Sequence, residues 1–391
     1  MSSLCIDIGY VSLNKFGEYL CGDHVETVTL GELSSVVVLA DGLGSGVKAN
    51  ILSTLTAKII STMIAGSLDV EDCVATVAAT LPVCNVRRIA YSTFSIIRTS
   101  GRMVSELIQF DNPHIVLLRD GKSFDYPVRS EVIDGKTICK TKIQLKEDDT
   151  FIVFSDGVVH AGIGATLNFG WKREHIIDFL ESVYKPVYSA KTLSAMLLNA
   201  CNELYEDKPG DDTTVAVLKV RPRQTVNLLF GPPLFPEDVP KMMALFFGKQ
   251  GKHIVCGGTT STLAAGFLNK ELDVSAPYYI DPDIPPTAGI EGVDLVTEGV
   301  ETMKRVLEYA EDFSAQNTRY KEWWKKEDGA SLIARLLFEE ATDINFYVGE
   351  AINPAHPAHK LPSGLSIKID LTETLSDRLR QMGKKIKISY F

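Results

Sequence analysis

Three short segments of the sequence are almost entirely apolar, and each has an aspartate at one end. In chain order they are residues 35–40 with Asp41, residues 151–154 with Asp156, and the segment from Thr213 with Asp211 and Asp212. Such runs are typical of buried strands, and strand ends from distant parts of a chain can meet at one edge of a fold. Carboxylates gathered there would repel one another and lose hydration unless divalent cations neutralised them. Oxygen ligands alone favour Mg²⁺, Mn²⁺ or Ca²⁺ over zinc.

Taken singly, each of these aspartates has a simpler explanation. An aspartate before glycine, as in Asp41-Gly42 and Asp156-Gly157, is usually a turn residue or a helix cap. What favours a shared site is the set as a whole, in which three such positions follow or precede apolar strands.

Residues 1–220 are predicted to form one α/β domain. Residues 45–64 form a predicted helix, in which apolar side chains recur at helical spacing. This stripe, expected to be the buried face of the helix, consists of Val47, Ile51, Leu55, Ile59 and Met63, and it is widened by Leu52, Ile60 and Ile64. Strand candidates fill residues 92–145, with a hairpin turn at Asp120-Gly121. Two further helices are predicted at residues 171–184 and 190–205.

A second domain is predicted from the length and from a change in composition. The chain has 391 residues, of which 45% are hydrophobic, enough for two ordinary cores. Residues 221–225, which include Pro222, are predicted to be a linker. In residues 226–391 strand-like segments alternate with helical ones, and this pattern predicts a smaller, Rossmann-like α/β domain with a mostly parallel sheet.

Charge and cysteine content exclude several classes of protein. A formal net charge of −10 provides no broad basic field for nucleic acid, so no nucleic-acid partner is expected. The seven cysteines are scattered and contain no CxxC pair, which favours a reducing cytoplasm over a disulfide framework. No apolar run approaches the ~20 residues that cross a bilayer, so no membrane association is expected.

Five motifs occur together in an order that resembles the metal-dependent (type-2C-like) protein phosphatase superfamily, and within it the bacterial SpoIIE-like branch, over roughly residues 1–220. The motifs are Gly22-Asp23, Asp41-Gly-Leu-Gly-Ser-Gly46, Asn112-Pro113 before the hairpin at Asp120-Gly121, Ser155-Asp-Gly157, and Asp211-Asp-Thr-Thr214. The residues after 220 resemble no family beyond a general α/β pattern.

The resemblance implies an α-β-β-α sandwich with two Mn²⁺ or Mg²⁺ ions at one edge. Asp41 would bridge the ions, Asp156 and Asp211 would complete the first ion's shell, and Gly42 would bind the second ion through its carbonyl. Asp23 would contact the second ion directly or through water. Asp212 either binds a metal or orients a ligand, because the family has Asn or Asp there.

The resemblance also implies a function. An enzyme of this kind hydrolyses phosphoserine or phosphothreonine on a partner protein with a water that the two metals activate, and the SpoIIE-like branch typically acts on phosphorylated anti-sigma-factor antagonists. The alternative is a scaffold or ligand-sensing module with regulated or lost catalysis, although the complete set of aspartates favours an enzyme.

Two residues near the first motif, Lys15 and His24, are candidates for direct roles in catalysis. Lys15 is the only cation where type-2C enzymes carry a phosphate-binding arginine, and its alternative is an ordinary solvated lysine. His24 is a candidate general acid because its ordinary pKa lies near neutrality, and its alternative is a packing role. His160 is likewise a candidate general acid, and its alternative is also a packing role.

The second domain contains one candidate site for a small anionic ligand. A predicted strand leads there through two glycines into a helix whose first amides could hold an anion, and a simple helix cap is the alternative. The candidate residues are Gly257, Gly258, Thr259, Thr260 and, at the next strand–helix junction, Glu298. Ligands of open parallel sheets gather beyond the carboxyl ends of the strands, which is where these residues are expected.

Overall fold

The computed structural model describes residues 4–80, 92–133, 136–274, 283–351 and 367–391. The chain divides into two compact units, Met1–Pro222 and Arg223–Phe391. Among the described residues, none of the helices combines the length and the apolar character that a membrane span requires.

The first unit consists mainly of antiparallel strands. Its elements in chain order are β1 Leu4–Leu13, β2 Asp23–Thr29, β3 Ser35–Gly42, α1 Gly46–Ala65, α2 Val70–Thr80, β4 Ser92–Ser100, β5 Val104–Phe110, β6 Val116–Arg119, β7 Lys122–Ser123, β8 Arg129–Ile133, β9 Lys136–Gln144, β10 Thr150–Phe154, α3 Asp156–Val159, α4 Arg173–Val183, α5 Ala190–Leu204 and β11 Thr213–Pro222.

Two antiparallel sheets form the centre of this unit. One has the strand order β1-β11-β10-β6-β7 and the other β2-β3-β4-β5-β9-β8. A buried apolar core joins residues of both sheets, among them Leu39 and Ile97 of the second sheet and Phe151 and Leu218 of the first. The strands bury alternate side chains in this core, so the side chains between them face the outside of the sandwich.

Helices cover the outer faces of both sheets. Helices α1 and α2 share a buried core with Val36, Val38 and other residues of the second sheet. Helix α5 contacts β1 and β11 of the first sheet. At Gly9 in β1 a side chain would lie 2.2 Å from the backbone nitrogen of Lys191, so only glycine allows α5 to pack this closely. The unit is therefore layered α-β-β-α.

Helix α1 is close to its predicted position, but its buried face agrees with the prediction only in part. Leu52, Ile60 and Ile64 are buried as predicted, and Ile59 and Met63 are partly buried against the same core. The prediction was wrong for Val47, Ile51 and Leu55, which are exposed, because apolar residues occur on more than one side of the helix and the buried face is centred on residues such as Ala49 and Thr56. Several of the buried residues are small, and this lets the helix approach β3 so closely that a side chain at Gly42 would lie 2.2 Å from the carbonyl oxygen of Ala49.

The second unit contains a parallel sheet. Its elements in chain order are β12 Thr225–Phe230, a 3₁₀ turn Pro236–Asp238, α6 Val239–Phe247, β13 Lys252–Cys256, α7 Gly258–Leu268, β14 Leu272–Asp273, β15 Gly289–Ile290, β16 Leu295–Thr297, α8 Val300–Ala315, α9 Tyr320–Lys325, α10 Gly329–Ala334, a π-helical segment Arg335–Glu340, β17 Asp343–Val348, α11 Ile367–Gln381 and β18 Lys385–Tyr390.

All neighbouring strands of the main sheet, β16-β13-β12-β17-β18, run parallel. The sheet agrees with the predicted strand–helix alternation, although its last two strands were not foreseen. The predicted linker, residues 221–225, is longer than the observed connection. Arg221 and Pro222 pair with β1 at the end of β11, and β12 begins at Thr225, so only residues 223–224 join the units.

The revised orientation of α1 predicts unequal effects of truncating two isoleucines. Ile60 is 0% exposed and Ile51 is 52% exposed. We expect Ile60→Ala to lower the free energy of unfolding by about 2–5 kcal/mol, because it leaves a cavity in the core. Ile51→Ala should change it by about 0.5 kcal/mol or less. Urea denaturation of both variants measures the difference, and similar losses would contradict the orientation of α1.

Candidate metal centre

Strands β2 and β3 place Asp23 and Asp41 side by side. The two residues are direct partners in the antiparallel ladder, so their side chains lie on the same face of the sheet. Two residues further along each strand, Val25 and Leu39 lie on that face in the core between the sheets. Asp23 and Asp41 therefore point toward the interior of the sandwich, at its edge.

The first sheet brings the remaining aspartates to this edge. Asp156 follows β10, and Asp212 immediately precedes β11, the neighbouring strand. The amide of Ser155 donates to the carbonyl oxygen of Thr214 at 3.0 Å, and the amide of Thr214 donates to the Ser155 hydroxyl at 2.9 Å. A side chain at Gly157 would lie 2.2 Å from the Asp212 carbonyl oxygen. The glycine after Asp156 is thus required by close packing of the two loops.

Burial and mutual repulsion raise the pKa values of the carboxylates that the two sheets bring to this edge. Burial raises the pKa of Asp41, and the charges of Asp23, Asp156 and Asp211 raise it further. The pKa of Asp211 is raised by burial and by Asp156, and that of Asp212 by burial and by Asp211. Asp41 thus interacts with carboxylates of both sheets, and its role as a bridge between two ions stays a prediction.

Asp23 is the most deeply buried member of the group. It is 4% exposed, and neither of its carboxylate oxygens has a hydrogen-bond partner. The nearby hydroxyls of Ser155 and Thr214 lower the pKa of Asp23 in part. Neither hydroxyl is positioned to form a hydrogen bond to its oxygens. Burial is the largest influence and raises the pKa, with a contribution from Asp212. A buried carboxylate without donors is costly, and a hard cation with oxygen ligands would satisfy it. The residues present therefore fit the divalent ions that the family implies.

Asp212 has a structural role on one side. Its Oδ1 accepts a hydrogen bond of 3.0 Å from the backbone amide of Lys15, and its Oδ2 is buried without a partner. A side chain at Gly22 would lie 2.6 Å from that Oδ2. Asp212 thus holds the loop before β2 with one oxygen and has the other available. A ligand role for Asp212 stays a prediction, as does one for the Gly42 carbonyl.

Lys15 and His24, the two candidate residues near the first motif, lie in different environments. Lys15 lies close enough to Asp211 for its charge to lower the pKa of that carboxyl in part. His24 lies on the opposite face of β2 from Asp23. Its Nε2 is 3.3 Å from Oε2 of Glu26, whose other oxygen pairs with Lys58 of α1 at 2.7 Å. His24 therefore faces α1 and is outside the centre.

His160 lies beside the centre instead. Its Nδ1 is 3.8 Å from Oδ2 of Asp156 and 3.9 Å from Oδ2 of Asp211. One ligand atom from each of these three side chains lies within 4.8 Å of the other two. The sequence signal for this contact is the spacing of four residues between Asp156 and His160, which places both on one side of a helical turn.

Comparison with known protein families identifies most of the first unit. The family model described as "Stage II sporulation protein E (SpoIIE)" matches residues 32–221. These residues form a SpoIIE-family domain. The SpoIIE domain contains four of the five predicted aspartates, and only Asp23 precedes the matched range. No curated protein sequence matches the chain significantly.

Solved structures similar to the chain include three phosphatase-related proteins. One contains the PP2C phosphatase domain and a fragment of the regulatory domain of SpoIIE from Bacillus subtilis. It is 19% identical to this chain, and the match covers 57% of this chain and 65% of that chain, with a TM-score of 0.49. The RsbU and RsbW domains of Rv1364c from Mycobacterium tuberculosis are 16% identical, and the match covers 61% of this chain and 68% of that chain, with a TM-score of 0.47. RsbX in complex with magnesium is 21% identical, covering 55% and 95%, with a TM-score of 0.40.

The second unit, outside the SpoIIE domain, brings together most of its predicted ligand residues. Gly257 has φ 113° and precedes α7, and a side chain at Gly258 would lie 3.2 Å from Oε1 of Glu298. Thr259 is exposed, whereas Thr260 is buried. The negative charge of Glu298 beside the first turn of α7 disfavours a second anion there. The anionic ligand stays a prediction, and this charge counts against it.

Two buried aspartates of the first unit, Asp23 and Asp149, should respond oppositely to the change to asparagine. Without divalent cations, we expect Asp23→Asn to raise the free energy of unfolding by about 1 kcal/mol or more, because it removes a buried charge that has no donors. Asp149 is equally buried, but Arg119 holds both of its oxygens, at 2.7 and 2.9 Å. Asp149→Asn should therefore cost about 3–5 kcal/mol.

Urea denaturation in a chelator measures both effects. Thermal unfolding with added Mn²⁺ should then show less cation stabilisation for Asp23→Asn than for the wild type, since the variant binds the ion more weakly. A destabilised Asp23→Asn protein in the chelator would show that Asp23 has donors of its own.

Proposed function

We propose that the chain is a metal-dependent protein serine/threonine phosphatase that removes phosphate from a phosphorylated partner protein. The observation that carries this proposal is the convergence of carboxylates from two sheets around Asp23, whose buried oxygens have no hydrogen-bond donors. Membership of residues 32–221 in the SpoIIE family, which is PP2C-like, supports the same reaction.

Four aspartates would hold two Mn²⁺ or Mg²⁺ ions. Asp41 would contact both ions, Asp156 and Asp211 one of them, and Asp23 the other. Bound in this way, the ions would supply a water of lowered pKa and neutralise charge on the phosphoryl group. Asp212 would keep the loop around Lys15 in position, because it accepts the amide hydrogen of that residue.

The exposure of these side chains indicates the direction from which a substrate enters. The side chains of Asp156 and Asp211 are 47% and 36% exposed, whereas Asp23 is 4% exposed. A phosphoseryl or phosphothreonyl group would therefore approach from the side of Asp156, with Asp23 at the floor of the site. Lys15, near Asp211, would attract the phosphoryl oxygens as a point charge.

The partner protein is proposed by class only. Resemblance to the SpoIIE-like branch suggests a phosphorylated anti-sigma-factor antagonist in cytoplasmic bacterial signalling. The second unit would then serve as a docking or sensing module. A scaffold without catalysis is the alternative, and the complete set of aspartates argues against it, since a scaffold has no need to keep a buried carboxylate without donors.

Phosphate release from a phosphoserine protein, with and without Mn²⁺, tests the proposal. We expect Asp41→Asn and Asp156→Asn each to lower the Mn²⁺-dependent rate by about 100-fold or more, because each removes a metal ligand. The matched control is Asp178→Asn, an exposed aspartate of α4, which should retain the wild-type rate. Wild-type protein that releases no phosphate with Mn²⁺ or with Mg²⁺ would refute the proposal, as would an Asp41→Asn variant with full activity.

A further inference from the structure

We infer that Nδ1 of His160 is a third protein ligand, with Asp156 and Asp211, of one divalent cation, and that it gives this position a preference for Mn²⁺ and later transition ions over Mg²⁺. The inference rests on the metal centre of the proposed function but concerns a residue outside the aspartate set.

The backbone fixes His160 relative to Asp156. Helix α3 begins at Asp156, and His160 follows its last residue with helical backbone angles, φ −78° and ψ −8°. The amide of His160 donates to the carbonyl oxygen of Asp156 at 2.9 Å. Residues four apart on a helical turn lie on the same side, so the imidazole and the carboxylate face the same point.

The distances between the three side chains fit ligands of a common ion. Separations of 3.8 Å to Asp156 and 3.9 Å to Asp211 are too long for hydrogen bonds. Two atoms that each lie about 2.1 Å from one ion are at most about 4.2 Å apart. The Nδ1 distances to both carboxylates are within that limit. All three ligand atoms lie within 4.8 Å of one another, so side-chain rotations of a few tenths of an ångström would bring every pair within the limit.

A second observation, independent of His160, points to a cation at this edge. Asp23 is almost fully buried, neither of its oxygens has a hydrogen-bond partner, and its electrostatic neighbours include Asp156. Cation charge is therefore called for beside the three-residue cluster as well as within it.

The ligand type determines which ion is preferred. Mg²⁺ prefers oxygen ligands and retains its waters, whereas imidazole nitrogen strengthens binding of transition ions. With a nitrogen and two carboxylates, this position would discriminate between Mn²⁺ and Mg²⁺ more strongly than an oxygen-only site. The same ligation would keep the His160 ring out of proton transfer, because its Nδ1 lone pair would be engaged.

Pulsed electron paramagnetic resonance of Mn²⁺ bound to the full chain tests the inference without any substrate. We expect a nitrogen coupling from a bound imidazole in the wild type and in His24→Ala, a control histidine on the other face of β2. The coupling should be absent in His160→Ala and in His160→Glu.

Calorimetric titration provides the second readout. His160→Ala should raise the Kd for Mn²⁺ about tenfold or more and that for Mg²⁺ less than about threefold. His160→Glu, which replaces nitrogen by oxygen, should recover most of the Mg²⁺ and Mn²⁺ affinity but not the preference for Mn²⁺.

The outcomes separate this inference from the proposed function. Bound Mn²⁺ without nitrogen coupling in the wild type, or an unchanged Mn²⁺ to Mg²⁺ affinity ratio in His160→Ala, overturns the role of His160 while the aspartate centre stands. Failure of the wild-type chain to bind Mn²⁺ at all overturns both.

Discussion

Repulsion among carboxylates is the constraint on which the first unit depends. Five aspartates are held at one edge of a β-sandwich, and one of them, Asp23, is buried without hydrogen-bond donors. Such a group persists only where the surrounding structure is stable enough to hold it. The two antiparallel ladders and their shared core provide that stability, and α1 and α5 reinforce it from outside. The stability lost at this edge would be the cost of the proposed cation-binding centre.

The aspartate set could be predicted because its signal is local. An apolar strand that ends in aspartate indicates both the strand and the position of the carboxylate, and the structure gathers these strand ends as expected. The glycines of the same motifs have a clear physical reason as well. A side chain at Gly42 would meet the backbone of Ala49, and one at Gly157 would meet that of Asp212.

Other features depend on tertiary context that the sequence does not display. His24 and Asp23 are neighbours in the chain but lie on opposite faces of β2, and only the pairing with β3 decides which of them faces the core. The buried side of α1 was ambiguous because large apolar residues occur on both sides, and the sheet selected the one rich in small residues. In the second unit, alternation of strands and helices was sufficient to predict a parallel sheet. Glu298 was also predicted beside the start of α7, where the structure has it, but the predicted anionic ligand did not take its negative charge into account.

The direct pairing of Asp23 with Asp41 has a consequence for how the β2–β3 hairpin folds. Side chains alternate along a strand, so a slip of one residue would turn Asp23 toward α1 and bring His24 into the interior. The slipped hairpin would retain most of its backbone hydrogen bonds, but it would lose the pair of carboxylates at the proposed metal centre. Cation binding at that centre would therefore stabilise only the correct alignment of these two strands, so a bound ion would select strand register during folding as well as complete the site.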